Sequence, residues 1–405
     1  MATAAIPITR ARPVARIVLT CAVITFGVFL ASNRTLYVLQ FLFPMFSLSL
    51  VSMLIFHFSV RRAWIDLIHV ASVTLLCGTL AFLFMYFPYH SIAWMGFAGI
   101  SSFLVLTVRS IWSRGEERKL GLLAVLSCVL LLVLEFVAAS ALHWTEPWFP
   151  RTLDLYLFSF DGSLGGQFSF WMGRAFSSWP SFGKISVLFY NGLPVIISLV
   201  CARQIAARSA KALPVVGALI LTGPIGVFFY SLFPALGPAH IAQLGFPYHP
   251  VAAAHLVLAH VAARGPRNAI PSLHMAWVLL AWWYSRGLGR WARAIAFVFI
   301  VFTIFSTIGT GEHYVVDLVV AFPFAVFIES LFSFSLSWRM PRKVASLVWG
   351  LGAVLAWLLL LRYAAGVFWV TPAIPWALMG ATVAISLWME SRLSSQAVSG
   401  NAGLL

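Results

Sequence analysis

Two histidines and an aspartate form the most informative pattern in this 405-residue sequence. His274 lies in RGPRNAIPSLHMAW (264–277), and His313 lies in GTGEHYVVDLVV (309–320), four residues before Asp317. Residues four apart share one face of a helix, so Asp317 can hold one nitrogen of His313 as N–H and leave the other free to attack phosphorus. A protonated His274 can then act as general acid for the leaving group. The pattern predicts phosphoryl transfer through a phosphohistidine at His313.

Polar residues around His274 are suited to hold a phosphate group. Arg267 can form forked hydrogen bonds with phosphate oxygens, and Asn268 and Ser272 add short polar donors. Pro271 fits the first turn of a helix, where unpaired backbone N–H groups and the helix dipole attract an anion. Because cationic side chains and helix N-termini can carry the charge of a phosphate, this chemistry requires no metal ion and no other cofactor. Two upstream residues complete the predicted binding set: Lys184 and Tyr190.

The spacing of the two histidines predicts the element that brings them together. His274 and His313 are 39 residues apart. One crossing of a bilayer core about 30 Å thick takes roughly 20 residues of helix. The apolar segment between them is therefore predicted to be a helical hairpin, which returns His313 to the membrane side and depth of His274.

The composition is typical of a polytopic membrane protein. Apolar residues make up 61% of the chain and charged residues 9%, with a mean hydropathy of +0.96. This balance excludes a soluble protein, and apolar runs of span length predict an all-α fold. About 12 transmembrane helices are predicted: 15–31, 36–58, 64–87, 91–112, 119–142, 183–202, 212–235, 269–285, 291–310, 312–336, 344–363 and 367–390. Four cysteines lie within these apolar runs and predict neither disulfides nor a zinc site: Cys21, Cys77, Cys128 and Cys201.

The placement of the basic residues predicts the orientation. If both termini are cytoplasmic, 19 of the 26 Lys and Arg residues face the cytoplasm, as the positive-inside rule expects. The net charge of +15 is then explained by topology and by anionic lipid, so no nucleic-acid partner is needed. Both histidines fall on the non-cytoplasmic side. The sequence favours a bacterial inner membrane with the site facing the periplasm, and a Golgi-type membrane would satisfy the same topology.

Connecting segments divide the predicted chain into three parts. Residues 1–118 form an N-terminal block of four spans, residues 119–336 a catalytic core of six spans, and residues 337–405 two further spans with a polar tail. The basic N-terminus is interpreted as the flank of the first span rather than as a removed signal. Within the core, residues 143–182 predict a segment in the outer membrane interface, and residues 236–268 a second outer loop. Four histidines of this loop fit no zinc spacing and are interpreted as loop residues: His240, His249, His255 and His260.

The central motifs resemble a known superfamily. PSLH (271–274) followed by HYVVD (313–317) is similar to the second and third motifs of the type 2 phosphatidic acid phosphatase superfamily, in the branch that holds inositol phosphorylceramide synthases and their bacterial relatives. The resemblance covers roughly residues 119–336. It implies a six-helix core, with His313 as nucleophile, Asp317 as its partner and His274 as general acid.

Two departures from that superfamily's pattern concern arginines. Its lipid phosphatases usually carry Lys-x6-Arg-Pro and an Arg six residues before the nucleophile. Here Lys184 is followed by Asn191 at the first Arg position, and Thr307 occupies the second. The transferase branch is similarly altered, and Arg267 is the candidate to cover part of the loss. The departures favour headgroup transfer over hydrolysis.

The predicted function is an integral membrane lipid phosphotransferase acting on a phospholipid or sphingolipid. Its partners would be a lipid phosphate, an alcohol acceptor and the surrounding membrane lipids, while the oligomeric state is left open. The first alternative is a lipid phosphatase that hydrolyses phosphatidate or a polyprenyl diphosphate. The second is a non-enzymatic transporter, for which twelve spans are typical, although its polar residues would be expected near mid-membrane.

Overall fold

Helices account for nearly all regular structure in the computed structural model, which describes residues 43–61, 63–84, 90–209, 211–241 and 244–402. The first six helices are α1 (Phe43–Val60), α2 (Trp64–Phe84), α3 (His90–Trp112), α4 (Gly115–Trp148), α5 (Asp154–Ser163) and α6 (Phe168–Ser178). The next four are α7 (Pro180–Asn191), α8 (Leu193–Ala206), α9 (Ala212–Leu232) and α10 (Leu273–Tyr284). The last four are α11 (Arg290–Gly309), α12 (Val315–Phe332), α13 (Pro341–Tyr363) and α14 (Ala373–Ala402). The predicted all-α class is confirmed.

Short 3₁₀ helices lie at Pro238–His240, Ala253–His255 and Ala365–Trp369, and the described chain also has two very short strands. β1 (Arg151–Thr152) and β2 (Val261–Ala262) pair antiparallel, with Thr152 opposite Val261. This pairing ties the segment before α5 to the long loop before α10.

Seven helices of the described chain are long and apolar enough to cross a membrane, which confirms an integral membrane protein but not the predicted number of spans. They are Trp64–Leu83, Ala93–Trp112, Ala212–Leu232, Arg290–Gly309, Val315–Phe332, Pro341–Tyr363 and Ala373–Ser394. An eighth is obtained if α7 and α8, which meet at an angle of 44°, count as one broken span. The predicted first span, 15–31, lies outside the described residues.

One difference from the predicted spans is at residues 269–285. The helix there, α10, has 12 residues, which gives a length of about 18 Å, well short of a bilayer core of about 30 Å. It begins only after a loop that extends to Ser272. The predicted hairpin therefore has one short arm and one arm of span length.

The chain divides into two compact units. One consists of the described residues up to Ser140 together with those of Asn191–Ile220 and Tyr284–Ile295. In it, α1 packs against α3 and α8, and α2 against α3. These units alternate along the chain, whereas the three predicted parts are consecutive and stay a prediction.

The second unit contains the candidate site and consists of Ala141–Tyr190, Leu221–Trp283 and the chain from Ala296 onward. Its helix α12 packs on both α13 and α14, and α5 packs on α12 and α13. Two tryptophans anchor the end of the chain to the α5 region, because Trp369 Nε1 donates to Ser159 Oγ (3.0 Å) and Trp376 Nε1 to the carbonyl of Leu164 (3.1 Å). The last helices thus help to hold α5 against the start of α12.

Candidate active site

The first predicted pair, His313 and Asp317, lies at the N-terminus of α12. Helix α11 ends at Gly309, and Gly311 has a φ of +73°, a left-handed conformation that favours glycine. His313 follows in the loop, and its Nδ1 lies 3.4 Å from Oδ2 of Asp317. The same Oδ2 accepts the backbone N–H of Tyr314 (2.8 Å), as an acidic residue in a first helical turn commonly does. One carboxylate therefore caps the helix and orients the imidazole.

The backbone of His313 is held from two sides. Its N–H donates to the carbonyl of Thr307 (3.2 Å), and its carbonyl accepts the hydroxyl of Ser169 on α6 (3.0 Å). The side chains of His313 and Asp317 are 1% and 0% exposed. The ring orientation is thus fixed by backbone, hydroxyl and carboxylate together.

Ser272 joins the two predicted motifs. Its hydroxyl lies 3.2 Å from Nε2 of His313, the nitrogen opposite the one that faces Asp317. Its backbone N–H donates to the carbonyl of Asp317 (3.1 Å). The loop before α10 and the start of α12 are therefore in direct hydrogen-bond contact.

His274 lies on the first turn of α10 beside this pair. Its ring stacks on Tyr190, with centroids 3.8 Å apart, and packs edge-to-face against Trp277. It also interacts electrostatically with His313. Tyr190, predicted to bind substrate, therefore contacts the second histidine and covers one face of its ring.

Two further buried carboxylates support the site, and the sequence analysis did not single them out. Asp154 accepts the backbone N–H groups of Leu236 and Gly237 and the hydroxyl of Tyr314 (3.1 Å). Asp161 accepts the N–H of Val315 at 3.1 Å. Burial raises the pKa of both carboxyls, and their hydrogen bonds oppose that shift.

The structural role of these carboxylates explains the unusual segment 143–182. Its predicted interfacial region is folded as α5 and α6, with most of α5 buried. Asp154 and Asp161 are seven residues apart, which places them on one face of α5. That spacing was the available signal, but their partners are backbone amides of distant loops, which no sequence pattern marks.

The contacts of the Arg267 side chain differ from those expected of a residue that binds phosphate. Its Nε donates to the carbonyl of Phe149 (2.8 Å) and its two terminal nitrogens to those of Ala263 and Gly265. The side chain is fully buried. All three nitrogens thus hold loop carbonyls, and we interpret Arg267 as a residue that shapes the loop.

The remaining predicted binding residues have few contacts. Asn268 is half-buried, and its Oδ1 has no hydrogen-bond partner among the described residues. Lys184 is exposed on α7. Their assignments to phosphate stay predictions.

The N-terminus of α10 is partly satisfied within the protein. The N–H of Ser272 donates to the carbonyl of Asp317, and that of Met275 lies 3.4 Å from the hydroxyl of Ser272. These two amides, predicted to be available to a phosphate oxygen, therefore already have partners. Ser272 Oγ is the polar group nearest to His313 Nε2 in the described contacts.

One of the four loop histidines lies next to the site. His240 Nε2 is 3.2 Å from both carboxylate oxygens of Glu312, the residue that precedes His313. The hydrogen bond to Glu312 raises the pKa of His240, although burial opposes it. Burial raises the pKa of Glu312, but the bond to His240 and its charge outweigh this and lower it overall. Among the described residues, no group of three or more His, Cys, Asp or Glu side chains is arranged to hold a metal ion.

These features define a helical integral membrane protein with a buried imidazole–carboxylate pair beside a second histidine. Residues 155–331 match the PAP2 superfamily, whose members are generally metal-independent phosphatases. The matched region contains His274, His313 and Asp317. No curated protein and no solved structure shows significant similarity to the chain.

Proposed function

We propose that the protein is an integral membrane lipid phosphotransferase that moves a phosphoryl headgroup from a lipid to an alcohol acceptor through a phosphohistidine at His313. One observation carries the proposal: Asp317 lies at Nδ1 of His313, while Nε2 faces Ser272 beside His274. The match to the PAP2 superfamily supports lipid phosphate chemistry of this class.

In the first half-reaction, Nε2 of His313 attacks phosphorus. The N–P bond forms as the P–O bond to the leaving alcohol breaks, and His274 gives that oxygen a proton. Asp317 keeps Nδ1 protonated and stabilises the positive charge that grows on the ring, as the carboxylate of a hydrolase triad does. Burial and the neighbouring His313 lower the pKa of His274 in the free protein, and the negative charge of the arriving phosphate would raise it and favour the protonated form.

In the second half-reaction, an acceptor hydroxyl attacks the phosphohistidine. The new P–O bond forms, the N–P bond breaks, and its electron pair returns to Nε2 of His313. An alcohol acceptor gives transfer, and water gives hydrolysis.

The proposed location is a bacterial inner membrane, with the site on the periplasmic side and both termini in the cytoplasm. The distribution of Lys and Arg along the sequence supports this orientation. Accessibility of a cysteine introduced at Tyr248, an exposed position in the loop before α10, to a membrane-impermeant thiol reagent in intact cells tests it. Labelling only after the membrane is permeabilised would contradict the proposed orientation.

Hydrolysis is the second candidate, because the superfamily is generally one of phosphatases. Incubation of the purified protein with phosphate-labelled lipid, with and without candidate alcohols, separates the two. With the alcohol present, a transferase forms a labelled alcohol product and releases less free phosphate. A phosphatase releases the same amount of phosphate in both incubations.

The control variants for this assay are His313→Ala and His249→Ala. The first should lose turnover, and the second, an exposed histidine of the loop before α10, should retain it. Lipid turnover that survives His313→Ala would rule out the nucleophile, and no turnover by the unaltered protein would favour the transporter.

A further inference from the structure

The His240–Glu312 pair lies at the site but has no role in the chemistry described above. Glu312 directly precedes His313, and His240 Nε2 lies 3.2 Å from each of its carboxylate oxygens. Both side chains are 30% exposed, in contrast with the buried His313 and Asp317. A polar acceptor entering from solvent would meet this pair before it reached the nucleophile.

The two loops that carry the pair are fixed against each other. The N–H of Ala239 donates to the carbonyl of Gly311 (3.0 Å), and the N–H of Gly237 is held by Asp154 (2.9 Å). Gly237 has a φ of +144°, and an added Cβ would collide with the carbonyl oxygen of Glu312. The glycine therefore permits the close approach that sets His240 opposite Glu312.

Glu312 also interacts electrostatically with residues of the active site. Its charge interacts with His313 and with Tyr190. Tyr190 stacks on His274, so the carboxylate acts on His313 and on the neighbour of His274, the two rings between which phosphorus would be transferred. The hydroxyl that attacks a phosphohistidine must enter between the same two rings.

We propose that Glu312 is a catalytic residue of the second half-reaction, in which its carboxylate binds the hydroxyl of an alcohol or of water and removes its proton. The proposal rests on the function proposed above. As the acceptor oxygen bonds to phosphorus, the N–P bond breaks, the electron pair returns to His313, and the proton moves to the carboxylate and from there to solvent. His274 takes back from solvent the proton that it gave to the leaving group. An aspartate of protein kinases accepts the proton of the attacking hydroxyl in a comparable way.

His240 acts as a positioning residue. As an imidazolium it holds the carboxylate in place and offsets its negative charge as the phosphate approaches. The charged groups that act on it are Glu312 and Asp154, and both favour its protonated form. The first half-reaction needs neither member of the pair, since His313, Asp317 and His274 carry it.

Single-turnover kinetics separate the two half-reactions. The full-length protein in detergent micelles, in excess over 32P-labelled p-nitrophenyl phosphate, releases nitrophenolate in the first step and labelled phosphate in the second. In Glu312→Gln, nitrophenolate release should keep its rate, phosphate release should slow at least tenfold, and labelled protein should accumulate. Added glycerol should speed loss of the label in the unaltered protein and have little effect in this variant.

His240→Gln should slow phosphate release about threefold and leave nitrophenolate release unchanged. It should also remove the fall in phosphate release that deprotonation of His240 causes at alkaline pH. Two matched controls should change neither step: His249→Gln in the same loop and Glu116→Gln, whose exposed carboxylate pairs with Lys119.

Two results would overturn the role of Glu312 alone. One is phosphate release from Glu312→Gln at the unaltered rate, and the other is equal slowing of both steps, which marks a structural role. If the unaltered protein forms no labelled intermediate at His313, the proposed function fails and this inference fails with it.

Discussion

Two buried aspartates of this chain have opposite surroundings. In the first unit, the carboxylate of Asp66 accepts hydrogen bonds from Nε of Arg61 (2.7 Å) and from Nε of Arg109 (3.0 Å). Nε2 of His57 lies 3.5 Å from Oδ2 of Asp66. In the second unit, Oδ2 of Asp317 accepts hydrogen bonds from the imidazole of His313 and from the backbone N–H of Tyr314. Its Oδ1 has no hydrogen-bond partner among the described residues. Two guanidinium groups thus neutralise the first carboxylate, whereas the second has only weak donors.

The same contrast extends to the carboxylates near Asp317. Asp154 and Asp161 accept backbone N–H groups and a tyrosine hydroxyl, and no arginine or lysine of the described chain pairs with them. A carboxylate that two arginines already neutralise contributes little stabilisation to a further positive charge. A carboxylate that shares its charge with an imidazole can stabilise that ring when it becomes cationic, which is the change that attack on phosphorus requires.

The largest expected effect comes from Asp317→Asn. An amide can present its N–H₂ to Nδ1 and favour the wrong tautomer of His313, so we expect kcat to fall by about 10³-fold, with little change in KM. Turnover of phosphate-labelled lipid measures it, with the unfolding temperature as the control for folding. Retention of more than a tenth of the activity would show that Asp317 only caps α12.

Asp66→Asn should lower the stability of the protein and leave its activity unchanged, the reverse of Asp317→Asn. Loss of a buried ion-pair partner costs about 3–5 kcal/mol, and the loss here should be roughly 1–3 kcal/mol, because the guanidinium groups are about one-third exposed. We expect a lower unfolding temperature in detergent and unchanged kcat for the folded fraction. A large fall in kcat with normal stability would remove the distinction between the two aspartates.

Arg267→Lys tests whether this arginine shapes the loop or binds phosphate. A lysine cannot reach all three carbonyls, and each lost hydrogen bond costs about 0.5–1.5 kcal/mol. The unfolding temperature should fall and KM should stay within about twofold, with the exposed Arg264→Lys as the matched control. A raised KM with normal stability would instead support the phosphate-binding role that the sequence predicts.

The smallest effect is the pH dependence of the His240–Glu312 pair. Because the pKa of His240 is raised in the folded protein, the charged ring stabilises the fold fully below pH 6.5, its ordinary pKa. This stabilisation is lost as the pH rises through the pKa of His240 in the folded protein. Because the pKa of Glu312 is lowered in the folded protein, its carboxylate stabilises the fold fully above pH 4.5, its ordinary pKa. This stabilisation is lost as the pH falls through the pKa of Glu312 in the folded protein. The pair should contribute most between these two ordinary values, by less than about 1 kcal/mol at this exposure.

Unfolding temperatures of the unaltered protein and of Glu312→Gln at pH 5.5 and pH 9 measure this contribution. The difference between the two proteins should be larger at pH 5.5. An equal difference at both pH values would mean that His240 is not charged in the folded protein.

The comparison also shows what the sequence can predict. Apolar run lengths predict the helical class, and the four-residue spacing predicts the contact of His313 with Asp317, because both depend on local geometry. The role of Asp154 depends instead on backbone amides of a remote loop, and that of Arg267 on backbone carbonyls of its own loop and of Phe149. Every residue carries those groups, so the sequence does not mark which ones fold against a given side chain.

The central claim is tested most directly by trapping the phosphorylated protein. The purified chain is mixed with phosphate-labelled lipid, quenched in alkali within one turnover and digested for mass spectrometry. The account predicts an acid-labile, alkali-stable phosphoryl group on His313, formed in the unaltered protein and absent from His313→Ala. Turnover without any phosphorylated intermediate, or a phosphoryl group on another residue, would contradict it.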